Sequence, residues 1–288
     1  MALGMVALFL TWLLGVWPPP VWWRHHWPRE TAMMQEAARR RVGGQAGERA
    51  LPNRPTVHPT PLTEISPLLQ RMVIIGEDSR FWTHHGIDPV EMADAMRIDR
   101  SRGTWASVKA LWRRRDRMRG ASTITQQLAK NLYLSSSRNL TRKLKEAVTA
   151  LRLELALPKS RILELYLSVA EWGPGIWGVQ AASHTYFGVP ASRLDERAAA
   201  ALAATLPHPT SSNPAHRPDA MLVRRDLILA RFHGADVEVP PSMEEPDSAM
   251  NEAPVIEQAV DSITVDSITV DSLTVVNPPV DSAEDTIP

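Results

Sequence analysis

Apolar side chains recur at helical spacing through the middle of this 288-residue chain. No stretch there shows the alternation of apolar and polar residues that is typical of a half-buried strand. One helical pattern follows the start signal Ser66-Pro67 and runs to Gly76. Others cover about residues 123–132, 139–157, 160–171, 176–187 and 194–206. The pattern over 139–157 contains one apolar stripe, made of Leu140, Leu144, Val148, Leu151 and Leu155. The middle of the chain is therefore predicted to be mainly α.

The N-terminal segment is strongly apolar. Thr11 is the only clearly polar side chain among the first 17 residues, and a transmembrane helix needs roughly 17–25 residues. Tryptophans follow at positions 17, 22, 23 and 27, where aromatic side chains settle at a membrane interface. A cleaved signal peptide is the alternative, but no basic region precedes the segment and no small-residue cleavage site follows it. We predict an uncleaved transmembrane anchor over residues 1–23.

The remaining composition suggests three further regions. Residues 24–60 are rich in Pro, Arg and Gly and predict a linker, and 61–235 is the candidate domain. The tail, 236–288, is acidic and repeats DSITV, so we expect it to be disordered. Thirteen of the 32 acidic residues follow Arg231 and no Lys or Arg does, so the body carries +13 and the tail −13. A basic body beside a membrane suits anionic headgroups or a phosphorylated substrate, and the anchor argues against a nucleic-acid partner.

A polar helix face lies within residues 123–132. If Ser122 caps this helix, then Thr123, Gln127 and Lys130 share one face at i, i+4 and i+7. A hydroxyl, an amide and an ammonium suit a diphosphate and sugar hydroxyls. Taken alone, a solvated polar face is the simpler interpretation.

Two carboxylate clusters lie on either side of that helix. Arg142, Lys143 and Glu146 are neighbours on a helix surface and could bind a phosphate and a divalent cation together. Glu77 and Asp78 end an apolar helix, where a buried glutamate could act as a base near neutrality. Considered singly, surface ion pairs and solvated carboxylates are the simpler interpretations.

Taken in order, these segments resemble the motifs of family 51 glycosyltransferases, the peptidoglycan polymerases. GEDSRFWTHHGID at 76–88 resembles the signature ExxxFxxHxG, and GASTITQQLAKN at 120–131 resembles the second motif almost letter for letter. RKLKE at 142–146 matches the third, and 162–188 resembles the fourth and fifth in the form typical of monofunctional members. The resemblance extends over about residues 61–215.

The resemblance implies a bilobed, lysozyme-like, mainly helical domain that polymerises lipid II with inversion and releases undecaprenyl diphosphate. By motif, Glu77 would be the general base for the incoming 4-hydroxyl. Glu146 would help to stabilise the departing diphosphate through a divalent cation, Mg²⁺ or Mn²⁺. Lys130, Arg142 and Lys143 would neutralise its charge.

Other motif positions would shape the donor and acceptor sites. They are Asp78, Phe81, His84, Ser122, Thr123 and Gln127. His84 is expected to form structural or sugar-binding hydrogen bonds. Two residues depart from the motifs: Ser168 replaces the usual Asn, and Val189 replaces the usual Lys. We expect these departures to affect catalytic efficiency more than the type of reaction.

The implied partners are lipid II, the growing glycan strand, the membrane and possible cell-wall synthesis proteins. The implied location is the bacterial cytoplasmic membrane, with the catalytic domain on its outer side. The Arg- and Trp-rich segment 97–119 would suit contact with headgroups, a disordered basic loop being the alternative. The chain has no SxxK, so no transpeptidase is expected. Rival functions are a catalytically weak scaffold and a lysozyme-like hydrolase, and the basic cluster argues against the hydrolase.

Overall fold

Helices dominate the part of the protein that the structure describes. The computed structural model describes residues 2–43, 56–95, 122–135 and 139–239. In these ranges the α-helices are α1 (Ala2–Leu14), α2 (Ala32–Gly43), α3 (Pro67–Glu77), α4 (Pro89–Ala95), α5 (Ile124–Tyr133), α6 (Leu140–Ala156), α7 (Lys159–Val169), α8 (Val179–Phe187), α9 (Glu196–Thr205) and α10 (Asp219–Phe232). Two short strands, β1 (Glu171–Gly173) and β2 (Ile176–Trp177), form one antiparallel hairpin. The prediction of a mainly α protein is confirmed, and this content is consistent with a lysozyme-like domain.

Two groups of helices build the core. α5 packs against α6 and α7, and α3 packs against α9 and α10. α7 is buried over most of its length, including Tyr166 and Ser168. α9 presents only small side chains and Leu202 over Ala199–Ala204, all buried, which allows α3 and α10 to approach closely. This packing brings the end of α3 and the start of α5 to one place.

Side chains at the helix starts explain several boundaries. Ser66 stands at the N-cap of α3 as predicted, although its hydroxyl donates to the Leu194 carbonyl at 3.1 Å instead of capping. Asn139 caps α6 and Asp195 caps α9 through side-chain oxygens that accept main-chain N–H bonds. The hairpin and α10 were not predicted from the sequence.

Part of the predicted linker over 24–60 packs onto the domain. Met34 is fully buried in the same core cluster as Trp23. Arg24 Nη2 donates to the Ala156 carbonyl at 2.7 Å, and Arg161 Nη2 donates to the His26 carbonyl at 2.8 Å. α2 also packs against α5. The composition suggested a solvated spacer, but these long-range contacts attach this part of the segment to the core.

α1 covers part of the predicted anchor. It is 13 residues long, about 20 Å at 1.5 Å per residue, whereas a bilayer core is roughly 30 Å thick. Among the described residues no helix is both long and apolar enough to span a membrane. The transmembrane anchor over residues 1–23 therefore stays a prediction.

Three leucines of the apolar stripe on α6 do not face the core. Leu144 is 45% exposed, Leu151 41% and Leu155 86%. The buried face instead carries Glu146 and Leu153. The glutamate can take an inward position because Arg142 and Lys143 on the same helix bind its carboxylate.

Two sequence predictions fall outside the described residues. One concerns the basic segment 97–119, and the other concerns the acidic tail from residue 240 onward. Both stay predictions.

Candidate active site

Glu77 is the last residue of α3, and burial of that helix determines where its carboxylate lies. Leu69, Met72 and Val73 on α3 are fully enclosed in the core. Only 7% of Glu77 itself is exposed. The structure therefore contains the buried glutamate at a helix end that the apolar pattern predicted.

Both carboxylate oxygens of Glu77 accept hydrogen bonds from other helices. Gln127 Nε2 on α5 donates to Oε2 at 2.9 Å, and Arg224 Nη2 on α10 donates to Oε1 at 3.2 Å. The Tyr166 hydroxyl on α7 donates to Gln127 Oε1 at 2.8 Å. Helices α3, α5 and α10 thus meet at one carboxylate, and α7 joins them through Gln127.

Asp78 joins the loop after α3 to the start of α5. Its Oδ2 accepts the Ile124 N–H at 2.9 Å, and His84 Nε2 lies 2.9 Å from each carboxylate oxygen. The Gly86 N–H donates to His84 Nδ1 at 3.2 Å, which assigns Nε2 as the donor to Asp78. A carboxylate at the start of α5 also matches the helix dipole. Asp78 and His84, both buried, therefore tie two parts of the site together.

Thr123 and Phe81 support the surroundings of the site. Thr123 is the N-cap of α5, one residue after the predicted cap Ser122. Its hydroxyl accepts the Gln126 N–H at 3.1 Å and donates to the Gly86 carbonyl at 2.7 Å. Phe81 is fully buried. The hydroxyl of Thr123 is thus engaged within the protein, and Phe81 has no exposed surface for a substrate.

Arg142, Lys143 and Glu146 form an ionic cluster near the start of α6. Arg142 Nη1 donates to Glu146 Oε2 at 2.7 Å, and Lys143 Nζ donates to Glu146 Oε1 at 2.5 Å. Lys143 Nζ also donates to Ser122 Oγ at 2.7 Å. The Glu146 side chain is 2% exposed and the Lys143 side chain 30%. The buried carboxylate therefore holds two cationic groups side by side.

Ser122 and Gln127 connect this cluster to Glu77. Gln127 Nε2 lies 3.5 Å from the Ser122 carbonyl oxygen, and the Ser122 hydroxyl accepts from Lys143. Lys130 follows Gln127 by about one turn of α5 and is half-buried. The structure thus joins Glu77, Gln127, Ser122 and the cation cluster in one network, while their chemical roles stay predictions.

Comparison with known proteins establishes the family. A family model described as Transglycosylase matches residues 45–233, which is more than half of the chain. The chain belongs to the transglycosylase family. The resemblance found in the sequence motifs is thereby confirmed.

Several similar relatives carry one name, biosynthetic peptidoglycan transglycosylase. The relative from Azoarcus sp. (strain BH72) is 38% identical over 240 residues, covering 83% of this chain and 95% of the relative. The one from Laribacter hongkongensis is 36% identical and covers 79% and 92%. The one from Bordetella pertussis is 37% identical and covers 80% and 88%. The similarity therefore extends over nearly the whole of each relative.

The residues around Glu146 show what a divalent cation would meet in this transglycosylase. Both oxygens of Glu146 already accept bonds from cationic side chains. Among the described residues, no group of three or more His, Cys, Asp or Glu side chains could hold a metal ion. The donor set does not fit a resident metal ion. The divalent cation stays a prediction, and the reaction proposed for this enzyme has no step through it.

Burial raises the pKa of two groups beside the network. The pKa of Tyr166 lies well above its usual range because the phenol is fully buried, and the charges of Glu77 and Asp78 add to the effect. Tyr166 therefore remains a protonated donor. On α4, burial and then the charges of Asp78 and Asp88 raise the pKa of Glu91 to about 7.

Sequence reasoning missed Arg224 and Tyr166 as parts of the site. The pair Pro218 and Asp219 is a helix-start signal that could have predicted α10. Nothing local to α10 indicates that Arg224 reaches Glu77, because the two residues are 147 positions apart. Only tertiary packing makes this contact.

The two positions that depart from the family motifs both take part in structural bonds. Ser168 is fully buried, and its hydroxyl accepts the Thr60 N–H at 3.3 Å and donates to the Thr60 carbonyl at 3.4 Å. These distances are long for hydrogen bonds. At position 189 the main-chain oxygen of Val189 accepts the Ser183 hydroxyl at 2.6 Å, a bond that does not depend on the side chain.

Proposed function

We propose that this transglycosylase is a monofunctional peptidoglycan glycosyltransferase that polymerises lipid II into glycan strands. The observation that carries the proposal is the network joining the Glu77 carboxylate to the Arg142 and Lys143 cations. A glycosyl transfer from a diphosphate needs both a base and cations in one site. Family membership and the names of the relatives support the same function.

In the proposed reaction, Glu77 removes the proton of the acceptor 4-hydroxyl on the GlcNAc of lipid II. The freed oxygen bonds to C1 of the MurNAc at the end of the growing chain. The bond from C1 to the diphosphate oxygen breaks, its electrons leave with undecaprenyl diphosphate, and the configuration at C1 inverts. Glu77 retains the proton until solvent removes it.

The cation cluster stabilises the charge that develops on the leaving diphosphate. Lys143 and Arg142 are held by Glu146 before any substrate arrives, so little reorganisation is needed at the transition state. Lys130, on the neighbouring α5, adds a third cation. In this mechanism Glu146 organises the cations and exchanges no proton with substrate.

The same geometry argues against the rival hydrolase. A glycoside hydrolase needs a second carboxyl group as general acid, nucleophile or second base. Glu146 is 2% exposed and engages Arg142 and Lys143 with its two oxygens, which leaves it poorly suited to any of those tasks. A weak scaffold would not require the base and the cations to be joined as they are in this site.

The cellular setting follows from the substrate. Lipid II is an envelope lipid, so we place the enzyme in the bacterial envelope, with its domain at the outer face of the cytoplasmic membrane. The apolar residues of α1, of which Met5 and Leu8 are more than 70% exposed, would contact that membrane.

The product formed from lipid II tests the proposal. The full chain in detergent is incubated with lipid II, and in parallel with preformed glycan strands. We expect lipid II to be consumed, with formation of a lysozyme-sensitive polymer and release of undecaprenyl diphosphate, and the strands to remain intact. Shortening of the strands would favour the hydrolase, and inertness toward both substrates would favour the scaffold.

A further inference from the structure

Arg224 reaches the candidate base from α10, a helix that carries none of the sequence motifs. Its Nη2 donates to Glu77 Oε1 at 3.2 Å and to the Gly76 carbonyl at 2.5 Å. The side chains of Arg224 and Glu77 are 11% and 1% exposed. A guanidinium is planar and its donors have fixed directions. Its bond to the Gly76 backbone therefore also fixes the direction from which it meets Glu77.

The second carboxylate oxygen of Glu77, Oε2, is bonded by Gln127, whose amide is in turn oriented by Tyr166. The Tyr166 hydroxyl donates to Gln127 Oε1 at 2.8 Å, so the carbonyl end of that amide faces the phenol. The NH₂ end must then face Glu77, where Nε2 donates to Oε2 at 2.9 Å. Tyr166 is 1% exposed and cannot exchange this bond for one to bulk water. Tyr166 thus fixes the orientation of the Gln127 amide.

We propose that Arg224 and Tyr166 are positioning residues for glycosyl transfer, which hold Glu77 as an oriented carboxylate before the acceptor binds. This inference rests on the proposed function, in which Glu77 is the base. Donors on both oxygens leave the remaining lone pairs of the carboxylate in fixed directions. The acceptor hydroxyl then meets a base that needs no rearrangement.

Of the two positioning residues, Arg224 is the one that brings a positive charge to Glu77. Asp78 follows Glu77 in the chain and adds a negative charge, while Tyr166 on α7 is a neutral phenol. Gln127 on α5 is neutral, and the buried face of α9 is made of alanines with Leu202 and Thr205. Arg224 forms an ion pair with Glu77 at 3.2 Å. Its removal would leave the carboxylate beside Asp78 without that cation.

Steady-state kinetics of the full chain on lipid II test the role of Arg224. For Arg224→Met we expect kcat to fall roughly tenfold to hundredfold, with KM changed less than about threefold. The acid limb of the pH-rate profile should move to higher pH, because the carboxylate has lost its cation. Arg224→Lys should recover part of kcat and most of the profile. The matched control is Arg225→Met, since Arg225 pairs with Asp226 at the surface, and it should behave as wild type.

Tyr166→Phe tests how the second carboxylate oxygen of Glu77, Oε2, is held. It removes one hydroxyl from a buried ring and frees the Gln127 amide to turn. We expect kcat to fall roughly fivefold to tenfold, KM to stay nearly constant and the acid side of the profile to stay in place, because no charge is removed. Tyr186→Phe is the matched control, since its hydroxyl donates to the Trp172 carbonyl at 2.8 Å.

A double-mutant cycle shows whether Arg224 acts through Glu77. In a Glu77→Gln background, adding Arg224→Met should change the residual rate by less than about twofold. An equal loss in both backgrounds would overturn the inference, as would wild-type kcat and pH profiles for Arg224→Met and Tyr166→Phe. If Arg224→Met does not fold, Arg224→Lys and Tyr166→Phe decide by the same criteria. Wild-type polymerisation by Glu77→Gln alone would instead refute the assignment of Glu77 as the base, whereas a wild type that forms no polymer from lipid II would refute the proposed function.

Discussion

Replacing Glu146 by Gln removes the carboxylate that binds both Arg142 and Lys143. Glu146 accepts bonds of 2.7 Å from Arg142 and 2.5 Å from Lys143, and its side chain is 2% exposed. Each charge-assisted bond contributes about 1.5–3 kcal/mol, and the amide retains one oxygen acceptor. Because the Lys143 side chain is 30% exposed, water can replace part of the hydrogen bonding that its ammonium group loses. We expect the free energy of unfolding to fall by about 2–4 kcal/mol.

The same variant should lose activity beyond its loss of stability. Without the carboxylate, the charges of Arg142 and Lys143 repel each other, and the two side chains are no longer held in position to bind the diphosphate. We expect kcat on lipid II to fall roughly 10²-fold to 10³-fold under conditions where the variant is folded.

Urea denaturation followed by circular dichroism, together with the lipid II rate, measures both effects. Glu196→Gln is the matched control, since Glu196 is an exposed carboxylate paired with His233, and it should cost less than about 1 kcal/mol. An unchanged denaturation midpoint and rate for Glu146→Gln would refute the reasoning. Full recovery of the rate on raising Mg²⁺ would show that Glu146 binds a metal, which contradicts its role as the organiser of the two cations.

Three further changes probe the structure around the site. Asp78→Ala leaves the buried donors of His84 and Ile124 without an acceptor and should lower the free energy of unfolding by about 3–5 kcal/mol; a loss below about 1 kcal/mol in urea denaturation would contradict this. Gly86→Ala places a Cβ at φ +88°, 3.1 Å from the main chain of α6, and should lower the thermal midpoint through a cost of about 1–3 kcal/mol. Glu91 binds its proton more tightly in the folded protein, where its pKa is about 7 against 4.5. Its contribution to stability therefore falls as pH rises through that window. Glu91→Gln should thus be more stable than wild type at pH 8 by about 1–2 kcal/mol after allowance for solvent screening, with no difference at pH 4, and an equal gain at both values would refute the titration.

The candidate site was largely predictable because its motifs are local. Glu77 could be placed from the apolar spacing of α3, and Gln127 and Lys130 from the helix that follows Thr123. The grouping of Arg142 with Glu146 follows from their i, i+4 spacing on one helix. Helical periodicity fixes such neighbours without knowledge of the fold.

The contacts between distant segments could not be predicted. Arg224 bonds Glu77 across 147 positions, and Trp23 bonds Tyr133 across 110. No periodic pattern encodes such pairs, since they depend on which helices pack together. The apolar stripe containing Leu155 indicated a core face, but the buried ionic bonds of Glu146 on the other face show that tertiary contacts override that pattern.

The most direct test of Glu77 as the base is the initial rate of lipid II consumption by wild type and Glu77→Gln at equal folded concentration. Circular dichroism establishes the folded fraction, and Glu196→Gln serves as the matched control. If Glu77 is the base, its variant should be slower by roughly 10²-fold to 10⁴-fold while the control keeps the wild-type rate. Polymerisation by Glu77→Gln at the wild-type rate would contradict the assignment of the base.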